Sequence, residues 1–215
     1  DNAVVEIDNE EVPIMDGSSK DFLDTFKKID LVEQSKKRQY LKIINKVELV
    51  DGKRKISIEP KDSSFEVNFQ LNYKNKIIGK QKNIVDFQKD NLEQVSNSRT
   101  FCLFEDIENI KKNGLAKGGS LDNAIVVQDK KVLNKEGLRN KKEFVNHKIL
   151  DCIGDLYTCG YRMIADVRCS QGGHYLTNQL LRKVFCNQEN FTFLEIKEKT
   201  LPHSFVQNNL LKSIA

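Results

Sequence analysis

The strongest constraint on the fold is a change of hydrophobic period along the chain. From Tyr40 the period is two: YLKIINKVELV leads to Asp51-Gly52 and then KRKISIEP, and SFEVNFQLNY alternates Phe65, Val67, Phe69, Leu71 and Tyr73. Alternation puts one face of a strand in a core, and Asp-Gly between two such runs suits a tight hairpin. From residue 143 the period is helical. In EFVNHKILDCIGDLYTCG, residues 143–160, Val145, Ile149, Ile153 and Leu156 gather on one side. A strand RMIADVRC, a Gly172-Gly173 turn holding His174, and a helix YLTNQLLRKVF follow. Sheet comes first in this unit, and helices follow.

Upstream, AVVEI is expected to form a strand almost at once. Pro13, Asp16 and Gly17 mark a turn, and Ser18 or Ser19 can cap a helix in which Phe22, Leu23, Phe26 and Ile29 recur at helical spacing. The polar run SKKRQ, Ser35 to Gln39, reads as a linker between two units. TFCLF, EDIENIKKNG and NAIVVQD make a strand-helix-strand module, with Gly118, Gly119 and Ser120 in a loop before its last strand. Residues 187–215 read as a strand plus a loosely held tail. The chain begins at Asp1 without an initiator methionine, so an upstream segment is expected.

Composition narrows the functional classes. With 215 residues and 39% hydrophobic content the chain can bury a real core in one or two domains. Against 35 basic residues stand 31 acidic ones, and the net +4 is spread along the chain, which fits an anionic ligand better than a grip on nucleic acid. No apolar run approaches the roughly 18 residues that span a bilayer. Nothing at the start resembles a signal peptide, so a cytoplasmic protein without stable membrane insertion is expected. The five cysteines are odd in number and form no C-x-x-C pair, which points to a reducing compartment and away from a cysteine zinc knuckle. Histidine chemistry has three candidates: His147, His174 and His203.

At about 100° per residue, His147, Lys148, Asp151 and Asp155 share one face of their helix, opposite its apolar stripe. Taken alone, an H-x-x-x-D pair most often marks a solvated face. Its chemical reading is that an imidazole and a carboxylate one turn apart both point at one divalent ion, and nitrogen plus oxygen donors suit zinc. Two donors do not complete a site, because catalytic zinc usually takes about three protein ligands and keeps a position for water. On the residues alone, His174 is either the third ligand or a general acid whose ring Asp155 orients. Thr100, in NSRTF, has a hydroxyl able to donate to a developing oxyanion if it borders the metal. No P-loop, dinucleotide fingerprint or G-x-S-x-G elbow is present.

Together, VPIMDGSS, SRTFCLFEDIENIKKNGLAKGGSLDNAIVV, VLNKEGLRNKKEFVNHKILDCIGDLYTCG and GGHYLTNQLL resemble the zinc-dependent UDP-3-O-acyl-N-acetylglucosamine deacetylases of lipid A synthesis. The likeness runs in order from about residue 2 to 185. It implies an α+β fold of two domains, each layering helices on a β-sheet. Residues 1–38 would be the remainder of an incomplete first domain and 39–215 the second. An insert near residues 101–127 would form the passage for an acyl chain, lined by Phe104, Ile107, Ala116, Ala124 and Val126.

The resemblance also implies roles. His147 and Asp151 match two of three zinc ligands, His174 the acid that protonates the leaving amine, and Asp155 its orienting carboxylate. Thr100 matches a threonine beside the oxyanion, Phe101 an aromatic packed on substrate, and Lys148 a basic residue facing the nucleotide end. The remaining zinc histidine and the general-base glutamate match no residue here, and their segment is expected just upstream. Gln171 stands where a basic residue is expected, which weakens one contact to the diphosphate. The expected function is hydrolysis of the N-acetyl amide of a UDP-linked acylated amino sugar by a monomer, this chain alone being inactive. The rival expectation is a non-catalytic module that binds a nucleotide-sugar, an acyl ligand or RNA, the last weakened by the few aromatics among its basic residues.

Overall fold

A computed structural model describes residues 2–29, 32, 34–114 and 116–196. His203 and the expected tail beyond residue 196 lie outside these. Helix α1 (Lys20–Phe26) is followed by strands β1 (Arg38–Ile43), β2 (Val47–Asp51), β3 (Arg54–Glu59), β4 (Phe65–Asn72) and β5 (Lys80–Asp86). Then come α2 (Glu93–Ser96), β6 (Phe101–Leu103), α3 (Ile107–Lys112), β7 (Ile125–Gln128) and β8 (Lys131–Val132). Helix α4 (Glu143–Tyr157), β9 (Arg162–Ser170), α5 (His174–Phe185) and β10 (Phe191–Ile196) complete the described chain. Mixed sheets with helices layered on them make an α+β fold.

Among the described residues, the larger sheet has seven strands and is organised on β9. Ala165 to Ser170 pair in parallel with β4, and Asp166 to Ser170 antiparallel with β3, so this stretch is flanked on both edges. The first residues of β9 pair in parallel with β1, which in turn pairs antiparallel with β10. The expected hairpin is present: β2 and β3 pair Asp51 with Arg54, and Gly52 takes φ +58° in the two-residue loop. Strand β4 buries Val67, Phe69 and Leu71, as its alternation requires. The strand-helix-strand module forms a second sheet, with β6 parallel to β7 and β8 antiparallel to β7.

Helices α4 and α5 pack side by side on the large sheet, α4 against β4 and β5, α5 against β2 and β3. Their apolar faces close one core with the sheet: Val145, Ile149, Cys152 and Leu156 from α4 meet Leu176, Leu180 and Val184 from α5. No described helix is long and apolar enough to cross a membrane.

Two local expectations need correction. AVVEI is not a strand among the described residues, where residues 2–7 have no ladder partner and Val4 and Val5 are 91% and 63% exposed. Extended backbone without a neighbour has nothing to satisfy its amides except water. The run from Tyr40 to Val50 is two strands rather than one, broken at residues 44–46, and its first part joins β9 instead of the hairpin. Both cap candidates of α1 are used: Ser19 stands at the N-cap with its hydroxyl donating to the Ser96 carbonyl at 3.0 Å, and the Ser18 hydroxyl accepts the Lys20 amide at 3.2 Å.

Ile149, fully buried under α4, and exposed Val5 test this layering. Ile149→Ala should cost about 2–5 kcal/mol and Val5→Ala less than about 0.5 kcal/mol in urea unfolding. Comparable losses from the two variants would contradict the described core.

Candidate active site

The polar face of α4 is not a solvated face. His147 is 7% exposed, and Lys148, Asp151 and Asp155 are all half-buried. The first turn is buried all round, with Glu143, Phe144, Val145 and Asn146 shielded as well as the apolar stripe. Helical periodicity could not show this, because the covering groups come from elsewhere: Asn83 donates to Asn146, and the Phe101 ring lies 5.0 Å from that of Phe144.

His147 is held at both ring nitrogens. Its Nδ1 is 3.0 Å from the Ser98 carbonyl, which can only accept, so Nδ1 is the donor. Its Nε2 is 3.2 Å from Asp151 Oδ1. Lys148 Nζ donates to the other Asp151 oxygen at 2.8 Å and sits 5.5 Å from the Phe101 ring centroid, a cation–π distance. Burial by itself would raise the Asp151 carboxyl. The hydrogen bond and charge of His147, joined by Lys148, outweigh burial and hold it well below the usual carboxylate range.

A second histidine–carboxylate pair joins α4 to α5. His174, first residue of α5, places Nδ1 at 2.9 Å from both oxygens of Asp155, one turn beyond Asp151. This pair differs in exposure from the first: the His174 side chain is 70% accessible and that of Asp155 23%. Of the two glycines before it, Gly172 is the one in close quarters, since a Cβ there would come within 2.3 Å of Cys169 Sγ. Burial pushes the Cys169 thiol up to about 12 and Cys152 well above the ordinary thiol value, so both behave as inert core groups.

Thr100 and His147 line the same cleft, of about 300 Å³, together with Ile14, Gly17, Ser18, Ser19, Phe22 and Leu150. The Asp16-Gly17 turn closes this cleft from the N-terminal side. Gly17, at φ +81°, accepts the Thr100 amide at 2.8 Å and lies so near the Asn123 carbonyl that a Cβ would stand 2.0 Å from it. Asp16 is anchored to Arg139 at 2.8 Å. The passage candidates are spread over the insert: Phe104 is exposed beside α3, Ile107 and Ala124 are half-buried, Val126 is buried in β7, and Ala116 is an exposed loop residue at φ +51°. Gln171, at φ +54°, turns its amide to the Asn72 carbonyl at 3.0 Å.

Sequence reading missed Arg99 and Glu143, a buried ion pair beside His147. Glu143 stands four residues before His147 on the same side of the helix, where the helical pattern allows a charge, so spacing gave no signal that it is buried. Among the described residues, no group of three or more His, Cys, Asp or Glu side chains is placed to hold a metal. His147 Nε2 and Asp151 Oδ1 could offer a cation one nitrogen and one oxygen, fewer than the about three protein ligands of catalytic zinc.

Compared with known proteins, residues 1–186 match the family model LpxC: UDP-3-O-acyl N-acetylglycosamine deacetylase. The chain is 40% identical over 209 residues to the UDP-3-O-acyl-N-acetylglucosamine deacetylase of Pasteurella multocida (strain Pm70), covering 95% of this chain and 68% of that protein. It is 41% identical over 199 residues to the protein of the same name from Psychrobacter sp. (strain PRwf-1), covering 91% and 67%. For the one from Acidithiobacillus ferrooxidans (strain ATCC 53993 / BNL-5-31) identity is 39% over 208 residues, covering 95% and 68%.

Because the Asp151 carboxyl is depressed in the folded chain, its stabilisation is complete above the unfolded carboxylate value of about 3.9. It is lost as pH falls through the lower folded value. In the metal-free chain, Asp151→Asn should be less stable than wild type at pH 7, and the gap in urea midpoint should narrow steadily below about pH 4. A gap independent of pH would show that Asp151 is not charged and paired as described.

Proposed function

This chain belongs to the LpxC family of UDP-3-O-acyl N-acetylglycosamine deacetylases, and from that premise we propose that it carries most of the machinery for hydrolysing the N-acetyl amide of a UDP-linked acylated amino sugar in lipid A synthesis. The observation that carries the reading is the pairing of His147 Nε2 with Asp151 Oδ1 at 3.2 Å, with a separate His174–Asp155 pair one turn along the same helix. A binding module has no need of two histidine–carboxylate pairs of such different exposure.

His147 and Asp151 are proposed to hold zinc. When bound, the metal supplies Lewis-acid polarisation of the amide carbonyl and of water. The residues of this chain do the rest. Thr100 donates its hydroxyl to the developing oxyanion. His174 carries a proton on the nitrogen away from Asp155 and delivers it to the departing amine, while Asp155 fixes the ring and stabilises its charge. Phe101 and Lys148 face the substrate, and Phe104, Ile107, Ala116, Ala124 and Val126 take the acyl chain. Residues 1–38 are proposed to close a first domain against 39–215, with a third zinc ligand and the general-base glutamate contributed from sequence upstream of Asp1. The enzyme is proposed to act as a cytoplasmic monomer.

Chain 1–215, given zinc and a UDP-3-O-acyl-N-acetylglucosamine, should release acetate at only a small fraction of the rate of a relative with a complete first domain. Turnover at the relative's rate would place the base within this chain and contradict the assignment. Extended with a complete first domain, His174→Ala should lower kcat by about 100- to 10,000-fold without changing the thermal midpoint; an unchanged kcat would remove His174 from the mechanism.

A further inference from the structure

The deacetylation steps make no use of the buried pair Arg99 and Glu143, which are 2% and 0% exposed. The Arg99 guanidinium donates through Nε and Nη2 to the two Glu143 oxygens at 2.9 and 3.3 Å, through Nη2 also to the Gly137 carbonyl at 2.7 Å, and through Nη1 to Glu136. The Glu143 carboxylate further accepts the backbone N–H of Arg139 at 2.6 Å and that of Arg99 at 3.2 Å. Well-packed apolar residues often replace such an ion pair without loss of stability, so the pair is weak as a purely stabilising device.

What distinguishes it is the peptide it grips. The Arg99 N–H that Glu143 accepts and the Ser98 carbonyl that His147 Nδ1 contacts at 3.0 Å belong to one planar peptide unit. Both polar groups of that unit are thus bonded to α4, one by Glu143 and one by His147 four residues later. Rotation of the Ser98–Arg99 peptide would break both bonds. The guanidinium holds the carboxylate from the other side, and Gly137 and Glu136 hold the guanidinium.

We propose that Glu143 and Arg99 are a positioning pair for His147: by clamping the Ser98–Arg99 peptide they keep Nδ1 as a donor to the Ser98 carbonyl and turn Nε2 toward Asp151. The purpose of this orientation rests on the reading of His147 as a metal ligand, where an anchored ring nitrogen typically raises affinity by about 10- to 100-fold. The clamp itself does not depend on metal.

The test uses chain 1–215 labelled uniformly with nitrogen-15, following solvent exchange of the backbone amides and of the His147 Nδ1–H signal, the latter assigned by its loss in His147→Gln. In the wild type this proton should be slow to exchange. In Glu143→Gln, and in the double variant Arg99→Leu with Glu143→Leu, which leaves no unpaired buried charge, exchange should accelerate by at least about tenfold while amides of β4 and β9 stay unchanged. Ser98→Ala, which keeps the carbonyl, should behave as wild type. Unchanged exchange in the double variant overturns the proposal, and that variant decides the matter if Glu143→Gln does not fold. Zinc titration of the protein extended with a complete first domain is a separate arm: no zinc binding there would contradict the metal reading while leaving the exchange result, and the clamp, intact.

Discussion

Strand β9 is hydrogen-bonded on both edges from Asp166 to Ser170, by β3 and β4, and its first residues hold β1. The sheet cannot close without it, and its position sets that of the two helices on either side of it in sequence. Helix α4 enters β9 and α5 leaves it, and each buries an apolar face on the sheet. Two helices fixed in this way present their remaining sides to each other, so Asp155 near the end of α4 reaches His174 at the start of α5. The site is a consequence of sheet order as much as of the residues that line it.

The two histidine–carboxylate pairs differ in ways that suit different chemistry. His147 is buried, bonded at Nδ1 to a backbone carbonyl, and shares Asp151 with Lys148, so its ring has one orientation. Such a group suits a fixed donor to a cation. His174 is bonded at one nitrogen and exposed, which leaves its other nitrogen able to exchange protons with water or substrate. Both pairs are built from the same two residue types; surroundings make the difference.

Much of this was legible in the sequence where local pattern determines structure. The Asp51-Gly52 hairpin, the alternation of β4, the β6–α3–β7 module and the common face of His147, Asp151 and Asp155 all follow from spacing within a single element. Strand β5 was not legible, because KQKNIVD is an edge strand among the described residues and turns lysines to water where a central strand would need apolar groups. AVVEI misled for the opposite reason: it has strand composition but no partner among the described residues. The burial of Glu143 and Asn146 depends on Arg99 and Asn83, 44 and 63 residues away, and no periodicity of α4 encodes those neighbours.

One turn of α4 is proposed to direct an imidazole nitrogen and a carboxylate oxygen at the same cation. X-ray absorption at the zinc edge on the metal-loaded protein with a complete first domain tests it most directly. Imidazole scattering should weaken by one ring in His147→Gln, and one oxygen donor should be lost in Asp151→Ala. A zinc shell identical in wild type and both variants would contradict it.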